Sequence, residues 1–163
     1  MKFFIEQIAI APSDPEAAEK LLADMGAVEW ARDCVTASGH VFGSKRQSNK
    51  ANLAFNYDIF DGKGEFEILT YIEGPNWLQA SNRGRGVSHL GMHCTSDELL
   101  RWRDFFAERG IGIAQTVFTQ DHTNPVIAGK RWYNYVIFDT KSILGVDLKF
   151  IARLERPGGN DEG

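Results

Sequence analysis

Apolar and polar residues alternate from Phe3 to Ala11, which is the two-residue period of a half-buried strand. The following SDPE, residues 13–16, is a helix-capping box with an early proline and predicts a helix that Gly26 ends. Three segments rich in β-branched and aromatic residues then predict strands over residues 28–37, 52–60 and 65–72. The polar, glycine-containing segments between these strands, residues 38–50 and 61–64, predict loops.

The same order of elements starts again at Val87. The segment VSHLGMHC predicts a strand, and Thr95–Glu98 forms a second capping box before an amphipathic helix that Gly110 ends. Three more strands are predicted over residues 111–120, 130–138 and 145–154. The chain therefore reads as two tandem β-α-β-β-β repeats, at about residues 3–73 and 87–153.

Polar residues recur at corresponding places in the two repeats. An offset of 82 residues relates Gln7 to His89, and the same offset relates Glu65 and Glu67 to Asp147 and Lys149. Strand side chains alternate between faces, so each of the two later pairs lies on one face of its strand. Each repeat alone would leave one face of its sheet uncovered, unless the two sheets join around a common cavity.

The fold class predicted is therefore α+β, with two repeats forming a curved mixed sheet around a central cavity. We expect residues 1–153 to form a single domain and residues 154–163, which are polar and glycine-rich, to form a flexible tail.

Charge and composition restrict the partners. The net charge of −4 and the pI near 5.6 give no basic face for nucleic acid, which makes a small molecule the expected ligand. The apolar run at the N-terminus is too short for a signal peptide or a membrane span, so we expect a cytoplasmic protein. Cys34 and Cys94 are isolated and are expected to be reduced, structural cysteines.

Four segments resemble the vicinal oxygen chelate superfamily, which includes glyoxalases, methylmalonyl-CoA epimerases, extradiol dioxygenases and bleomycin-resistance proteins. They are IEQIAIAPSDPEAAEKLL, FEILTY, VSHLGMHC and FDTKSILGVDLKFI, and the resemblance extends from Phe3 to about Leu154. It implies a glyoxalase-like fold of paired βαβββ units, usually as a homodimer. It also implies one divalent metal (Zn, Ni, Mn or Fe) held by the first and last strands of each repeat.

Carried over by position, the four metal-binding places are Gln7, Glu67, His89 and Lys149. Glutamine is also found at the first place among glyoxalases. Lys149, however, stands where members with an intact site have glutamate, and a charged ammonium has no lone pair to donate to a metal. Two readings stay open: Asp147, two residues back on the same face, completes the metal site, or Lys149 and Glu67 offset each other without a metal.

Other polar and aromatic residues are candidates for chemistry in the cavity. The candidate catalytic residues are Glu67, Lys149 and His93. His93, four residues after His89, is a candidate general base, and the alternative is a hydrogen-bonded wall residue. The candidate substrate-binding residues are Arg83, Arg85, Trp77 and Trp132, with a solvated basic loop as the alternative for the two arginines. A basic cluster in the predicted 38–50 loop, Lys45, Arg46 and Lys50, is a candidate lid. His40 and His122 fall in predicted loops with no partner visible from the sequence.

Two functions follow for the chain. In the first, it is a metal-dependent enzyme of the glyoxalase, epimerase or dioxygenase type that acts on a small anionic substrate. In the second, it is a metal-free cavity that sequesters a small molecule, as bleomycin-resistance proteins do, with Glu67 and Lys149 orienting the ligand. A metal-free enzyme using Lys149 as acid or electrophile lies between them. The resemblance favours an enzyme, and Lys149 is the feature that separates the alternatives.

Overall fold

The structure is a computed structural model that describes residues 1–81 and 86–155. Its strands are β1 (Gln7–Ala11), β2 (Ala31–Val41), β3 (Gln47–Asn56), β4 (Glu65–Glu73), β5 (Gly86–Cys94), β6 (Ile113–His122), β7 (Arg131–Phe138) and β8 (Asp147–Glu155). Its α-helices are α1 (Pro15–Asp24), α2 (Trp77–Ala80), α3 (Ser96–Ala107) and α4 (Lys141–Leu144), with a short 3-10 helix at Asp58–Phe60. The strand, helix and three-strand order predicted for each repeat is confirmed.

The two long helices begin at polar caps. In α3 the predicted capping box is present, because Thr95 accepts a hydrogen bond from the backbone of Glu98 and the Glu98 side chain accepts one from the backbone of Thr95. In α1 the cap is Asp14 and not Ser13, since the Asp14 side chain accepts from the backbone N–H of Ala17. The proline then falls at the first helical position, which needs no amide hydrogen.

The prediction of a loop over residues 38–50 is wrong. β2 continues to Val41 and β3 starts at Gln47, so a turn of only five residues, 42–46, joins the two strands. Phe42 and Gly43 in this turn both have positive φ angles, of 44° and 71°. Lys50 lies in β3 and pairs with Thr36 of β2, so residues 38–50 do not form a long segment that would cover the cavity as a lid.

The eight strands close into one barrel in the order β1-β4-β3-β2-β6-β7-β8-β5. Each repeat contributes four consecutive strands, and its first and last strands pair in parallel: β1 with β4, and β5 with β8. Antiparallel pairs β1–β5 and β2–β6 join the two repeats. The two repeats therefore complete the barrel within a single chain.

One hydrophobic core cluster, which includes Trp102, Phe106, Phe138 and Phe150, lies on the face of the sheet opposite the cavity. α3 packs outside the barrel, where Phe106 stacks on Phe138 with ring centroids 4.2 Å apart and Trp102 contacts Phe150 at 4.8 Å. Inside the barrel, the residue alternation of the strands leaves a space lined by mixed polar and aromatic side chains. In the part of the chain that is described, no helix is long and apolar enough to cross a membrane.

The two cysteines are partly buried free thiols. Burial raises the pKa of the Cys94 thiol to about 11, with a smaller effect from the nearby carboxylates of Glu98 and Glu6. A thiol with a raised pKa is a poor nucleophile, so nothing in this environment activates Cys94.

Candidate functional site in the barrel

All eight strands contribute to the wall of one cavity inside the barrel. The volume inside it that water-sized spheres can occupy is about 120 Å³. Trp77 at the start of α2 is fully buried and fills one end, where its backbone N–H donates to Gln115 and its indole N–H donates to Asp147. At the other end the His93 side chain lines the cavity and is 43% exposed, so the cavity opens there.

The four places carried over from the resemblance meet on one wall of this cavity. Gln7, Glu67, His89 and Lys149 are all buried, with at most 6% of any residue exposed. His89 Nε2 lies 2.8 Å from Gln7 Oε1 and 3.7 Å from Glu67 Oε2. Lys149 Nζ donates to Glu67 Oε2 at 3.3 Å and lies 4.7 Å from the centroid of the Tyr135 ring. We refer to these four residues as the Gln7–Lys149 cluster.

Within this cluster Glu67 is an ionised carboxylate. Burial by itself would raise the pKa of Glu67, but the charge of Lys149 and the hydrogen bond with His89 outweigh burial and lower it to about 2. Burial and the charge of Lys149 lower the pKa of His89, so its imidazole is neutral near pH 7. The cluster therefore contains one ion pair and one neutral histidine.

The hydrogen bonds around Gln7 place the proton of His89. Gln7 donates its amide N–H to Glu65 Oε1, which turns the amide oxygen toward His89. Nε2 of His89 must then carry the hydrogen and donate it to Gln7, while Nδ1 lies 3.1 Å from the Ser88 hydroxyl. The ring nitrogen nearest the centre of the cluster thus has no lone pair available.

These residues do not fit a divalent metal. The ammonium of Lys149 holds one of the four places, Nε2 of His89 is protonated, and Glu67 is the only carboxylate among the four. Among residues 1–81 and 86–155, no group of three or more His, Cys, Asp or Glu side chains is arranged to hold a metal ion. The ammonium of Lys149 thus balances the charge of the Glu67 carboxylate, as a bound metal ion would.

Asp147 lies beside this wall but is engaged elsewhere. Its Oδ2 accepts from the Trp77 indole at 3.1 Å, and its Oδ1 accepts from the backbone amides of Thr140 and Lys141, both at 3.2 Å. β5 and β8 pair in regular register from His89 and Asp147 onward, with no bulge that would turn Asp147 toward the cluster. Asp147 thus anchors Trp77 and the start of α4.

Glu65 and His93 occupy the side of the cavity nearer its mouth. Burial and the like charge of Glu67 raise the pKa of Glu65. The backbone N–H of His93 donates to Glu6 Oε2 at 2.6 Å, and its Nδ1 lies 3.4 Å from the same oxygen. His93 is therefore a partly exposed rim residue paired with a surface carboxylate.

The candidate substrate-binding residues divide into three cases. Trp77 lines the cavity. Trp132 does not, because it alternates with the inward-facing Tyr133 and contacts Phe118 with ring centroids 6.2 Å apart. Arg83 and Arg85 lie outside the described residues.

A second polar pair lines the cavity and was not predicted from the sequence. His122, at the end of β6 and not in a loop, places Nδ1 2.6 Å from Oδ2 of Asp33 on β2. The two residues are 89 positions apart and meet only because β2 pairs with β6 across the join between the repeats. Because the sequence places His122 in a predicted loop, no local pattern indicates that Asp33 is its partner.

The remaining wall is apolar and aromatic. It consists mainly of Val35, Leu53, Phe55, Leu69, Ile137 and Ile151, together with Tyr57, Tyr71, Tyr133 and Tyr135. Burial raises the pKa of both Tyr71 and Tyr135, so their hydroxyl groups stay protonated and neutral. Such a wall suits a ligand with an aromatic or aliphatic body.

Comparisons with known proteins identify the fold. No family model and no curated protein match the chain. A variant of methylmalonyl-CoA epimerase from Streptomyces coelicolor, in complex with 2-nitronate-propionyl-CoA, is similar at a TM-score of 0.54 and 15% identity, over 96% of this chain and 100% of that one. A variant of 4-hydroxymandelate synthase from the same organism gives 0.53 and 12%, over 95% of this chain and 50% of that one. The hypothetical protein BH1468 from Bacillus halodurans C-125 gives 0.50 and 16%, over 96% and 98%.

The epimerase and the synthase are members of the vicinal oxygen chelate superfamily. The fold of this chain is therefore that of the superfamily, and the predicted α+β fold is confirmed. At these identities the likeness establishes the fold alone.

Proposed function

We propose that the protein binds a small molecule in its barrel cavity without a divalent metal. The observation that carries the proposal is the ion pair between Lys149 and Glu67, with Nζ and Oε2 3.3 Å apart at the place where the resemblance puts a metal. The pair balances its own charge, so the cavity needs no bound cation to stabilise Glu67. This favours the metal-free function over a metal-dependent lyase, isomerase or dioxygenase.

The cavity also narrows the class of ligand. Because Glu67 already offsets Lys149, a neutral ligand suits this wall better than the small anion expected from the sequence. An ammonium has three N–H donors and only one of those on Lys149 bonds to Glu67, so a ligand oxygen can accept another. We infer an aromatic or apolar molecule that carries a carbonyl or hydroxyl oxygen toward Lys149.

Metal content tests the first part of the proposal. Protein purified without chelators or a histidine tag, and then dialysed against Zn²⁺, Ni²⁺, Mn²⁺ and Fe²⁺, should show no stoichiometric ion by elemental analysis. Lys149→Glu should bind about one ion per chain, because it replaces the ammonium with a second carboxylate beside Glu67, Gln7 and His89. The control Lys130→Glu, at an exposed lysine, should bind none. One tightly held ion in the unaltered protein would contradict the proposal.

Ligand stabilisation tests the second part. Benzaldehyde and toluene have nearly the same shape, but only benzaldehyde offers an oxygen to Lys149. Thermal unfolding should show a larger stabilisation by benzaldehyde, since a ligand that binds only the folded state raises its stability by mass action. The double variant Glu67→Gln with Lys149→Met should lose this difference. Equal stabilisation by both compounds in the unaltered protein would count against recognition of a ligand oxygen by Lys149.

A further inference from the structure

We propose that Asp33 and His122 form a general-base pair that moves protons on a small molecule bound in the cavity. This inference rests on the binding function proposed above, and it adds a reaction to it. The pair lies on β2 and β6, away from the Gln7–Lys149 cluster on β1, β4, β5 and β8, and both of its residues line the same cavity. None of the candidate residues taken from the sequence belongs to it.

Asp33 holds the histidine ring in a fixed orientation. Its Oδ2 lies 2.6 Å from His122 Nδ1, and the side chains of the two residues are only 2% and 4% exposed. The other oxygen, Oδ1, accepts from the backbone amides of Thr123 at 2.8 Å and Asn124 at 3.0 Å. The carboxylate is thus fixed on both sides, and so is the ring that it holds.

The same contacts decide which nitrogen of His122 is free. Burial alone would raise the pKa of Asp33, but the hydrogen bonds from His122, Asn124 and Thr123 outweigh burial and lower it. An ionised carboxylate can only accept, so Nδ1 of His122 carries the hydrogen. In the neutral ring the lone pair is then on Nε2, as in the His–Asp arrangement of known general bases.

Nε2 of His122 has the environment of a reactive nitrogen. It is buried and has no hydrogen-bond partner among the described residues. His89 differs, because both of its ring nitrogens lie within hydrogen-bond distance of a neighbour. Buried polar atoms in proteins are nearly always satisfied, so the unpaired Nε2 of a histidine that lines the cavity indicates a group that meets a ligand.

A histidine base on the wall of a largely apolar cavity suits a carbon acid, a molecule with a C–H bond next to a carbonyl group. Nε2 of His122 takes the proton, the C–H bond breaks, and its electron pair moves onto the carbonyl oxygen as an enolate. Where a C=C bond is conjugated with the enolate, the protonated imidazole then delivers the proton to a different carbon, so the double bond moves and the net reaction is an isomerisation that needs no oxidant, reductant or cofactor.

The probe for this activity is 5-nitrobenzisoxazole, a neutral aromatic molecule. A base removes its one ring C–H proton, the electron pair forms the nitrile, and the N–O bond breaks to give a coloured phenolate. Its turnover therefore reports a positioned base without knowledge of the natural substrate. We expect catalysed turnover by the unaltered protein, and a loss of roughly 10²-fold in kcat for His122→Gln.

Asp33→Asn should lower kcat with little change in KM, because it alters the orientation and tautomer of the ring but not the apolar walls that bind the probe. His40→Gln, which replaces a solvent-exposed histidine outside the cavity, is the matched control and should leave kcat unchanged. The thermal midpoint of each variant establishes that it is folded.

Binding and rate separate the two proposals. Stabilisation of the fold by the probe, with equal turnover in the unaltered protein and His122→Gln, would overturn the general-base pair and leave the binding function standing. No stabilisation by the probe or by benzaldehyde would contradict the binding function. A readout independent of both is the ¹⁵N NMR spectrum of the unaltered protein, where we expect the neutral ring of His122 to carry its proton on Nδ1. A proton on Nε2 would overturn the pair.

Discussion

At the scale of single residues, the site depends on two buried charges that compensate each other. Lys149 and Glu67 have side chains only 8% and 1% exposed, so each charge has lost most of its water. Removing one partner of a buried ion pair leaves the other uncompensated, whereas removing both leaves neutral side chains of similar shape. Removing one partner of the pair is therefore expected to change the free energy of unfolding more than removing both.

Replacing one member of the pair should destabilise the protein strongly. We expect Lys149→Met to lower the free energy of unfolding at pH 7 by about 3–5 kcal/mol, because the Glu67 carboxylate then has no cation. The double variant Glu67→Gln with Lys149→Met should recover most of that loss. Urea unfolding followed by circular dichroism measures both values. A double variant as unstable as Lys149→Met alone would show that the charge on Glu67 is not the cause.

At the scale of the elements, the join between the repeats depends on a close approach of two backbones. A Cβ atom at Gly39 on β2 would lie 1.7 Å from the carbonyl oxygen of Thr116 on β6. No side chain can shift to relieve this contact, because the atom that it meets is backbone. Gly39 thus allows β2 and β6 to pair closely, and this pairing closes the barrel and brings Asp33 to His122.

Gly39→Ala should therefore weaken the join. We expect a loss of about 1–3 kcal/mol or more in the free energy of unfolding, the range typical of overpacked sites. The hydrogen exchange of backbone amides along β2 and β6 should also become faster than along β4 and β8. Gly112→Ala is the control, since a Cβ atom there has no neighbour within 4 Å and the backbone angle suits alanine. Equal losses in the two variants would contradict this role of Gly39.

The sequence predicts the elements better than their ends. The two capping patterns and the alternation of apolar residues locate both repeats, and the 82-residue offset brings Gln7 and Glu67 to the same site as His89 and Lys149. Residues 38–50 are misread because serine, glycine, asparagine and lysine are typical of loops. In the barrel, β2 pairs with both β3 and β6, and this pairing overrides the local preference for a loop. The Asp33–His122 pair depends on the same long-range pairing and leaves no local pattern.

At the scale of the whole molecule, the closed barrel makes the site complete within one chain. Both regions of the cavity, the Gln7–Lys149 cluster and the Asp33–His122 pair, are formed by strands of a single chain. The homodimer implied by the resemblance stays a prediction, and the cavity does not depend on it. Ligand binding per chain should therefore be independent of protein concentration.

The buried carboxylates should make the stability of the whole fold depend on acid. The pKa of Glu67 is about 2 in the folded protein, against 4.5 as its ordinary value, and the pKa of Asp33 is also lowered. A carboxyl whose folded pKa is lowered stabilises the protein above its unfolded pKa, and this stabilisation is lost as the pH falls through the folded pKa. We expect the free energy of unfolding to fall by a few kcal/mol between about pH 4.5 and pH 2. Glu65 opposes this trend, because burial and the like charge of Glu67 raise its pKa, so its protonation at low pH favours the folded state.

Urea unfolding at a series of pH values tests this dependence, with Glu67→Gln as the critical variant. Glutamine does not titrate, so the variant should be less stable at neutral pH and should lose less stability than the unaltered protein as the pH falls below about 4.5. Glu73→Gln, at an exposed position, should keep the acid dependence of the unaltered protein. If Glu67→Gln and the unaltered protein lost stability in parallel, the ion pair with Lys149 would not be the source of the acid dependence. The lowered pKa of Asp33 would then be the main cause. The hydrogen bonds that Asp33 accepts from His122 and from the backbone of Thr123 and Asn124 also require an ionised carboxylate.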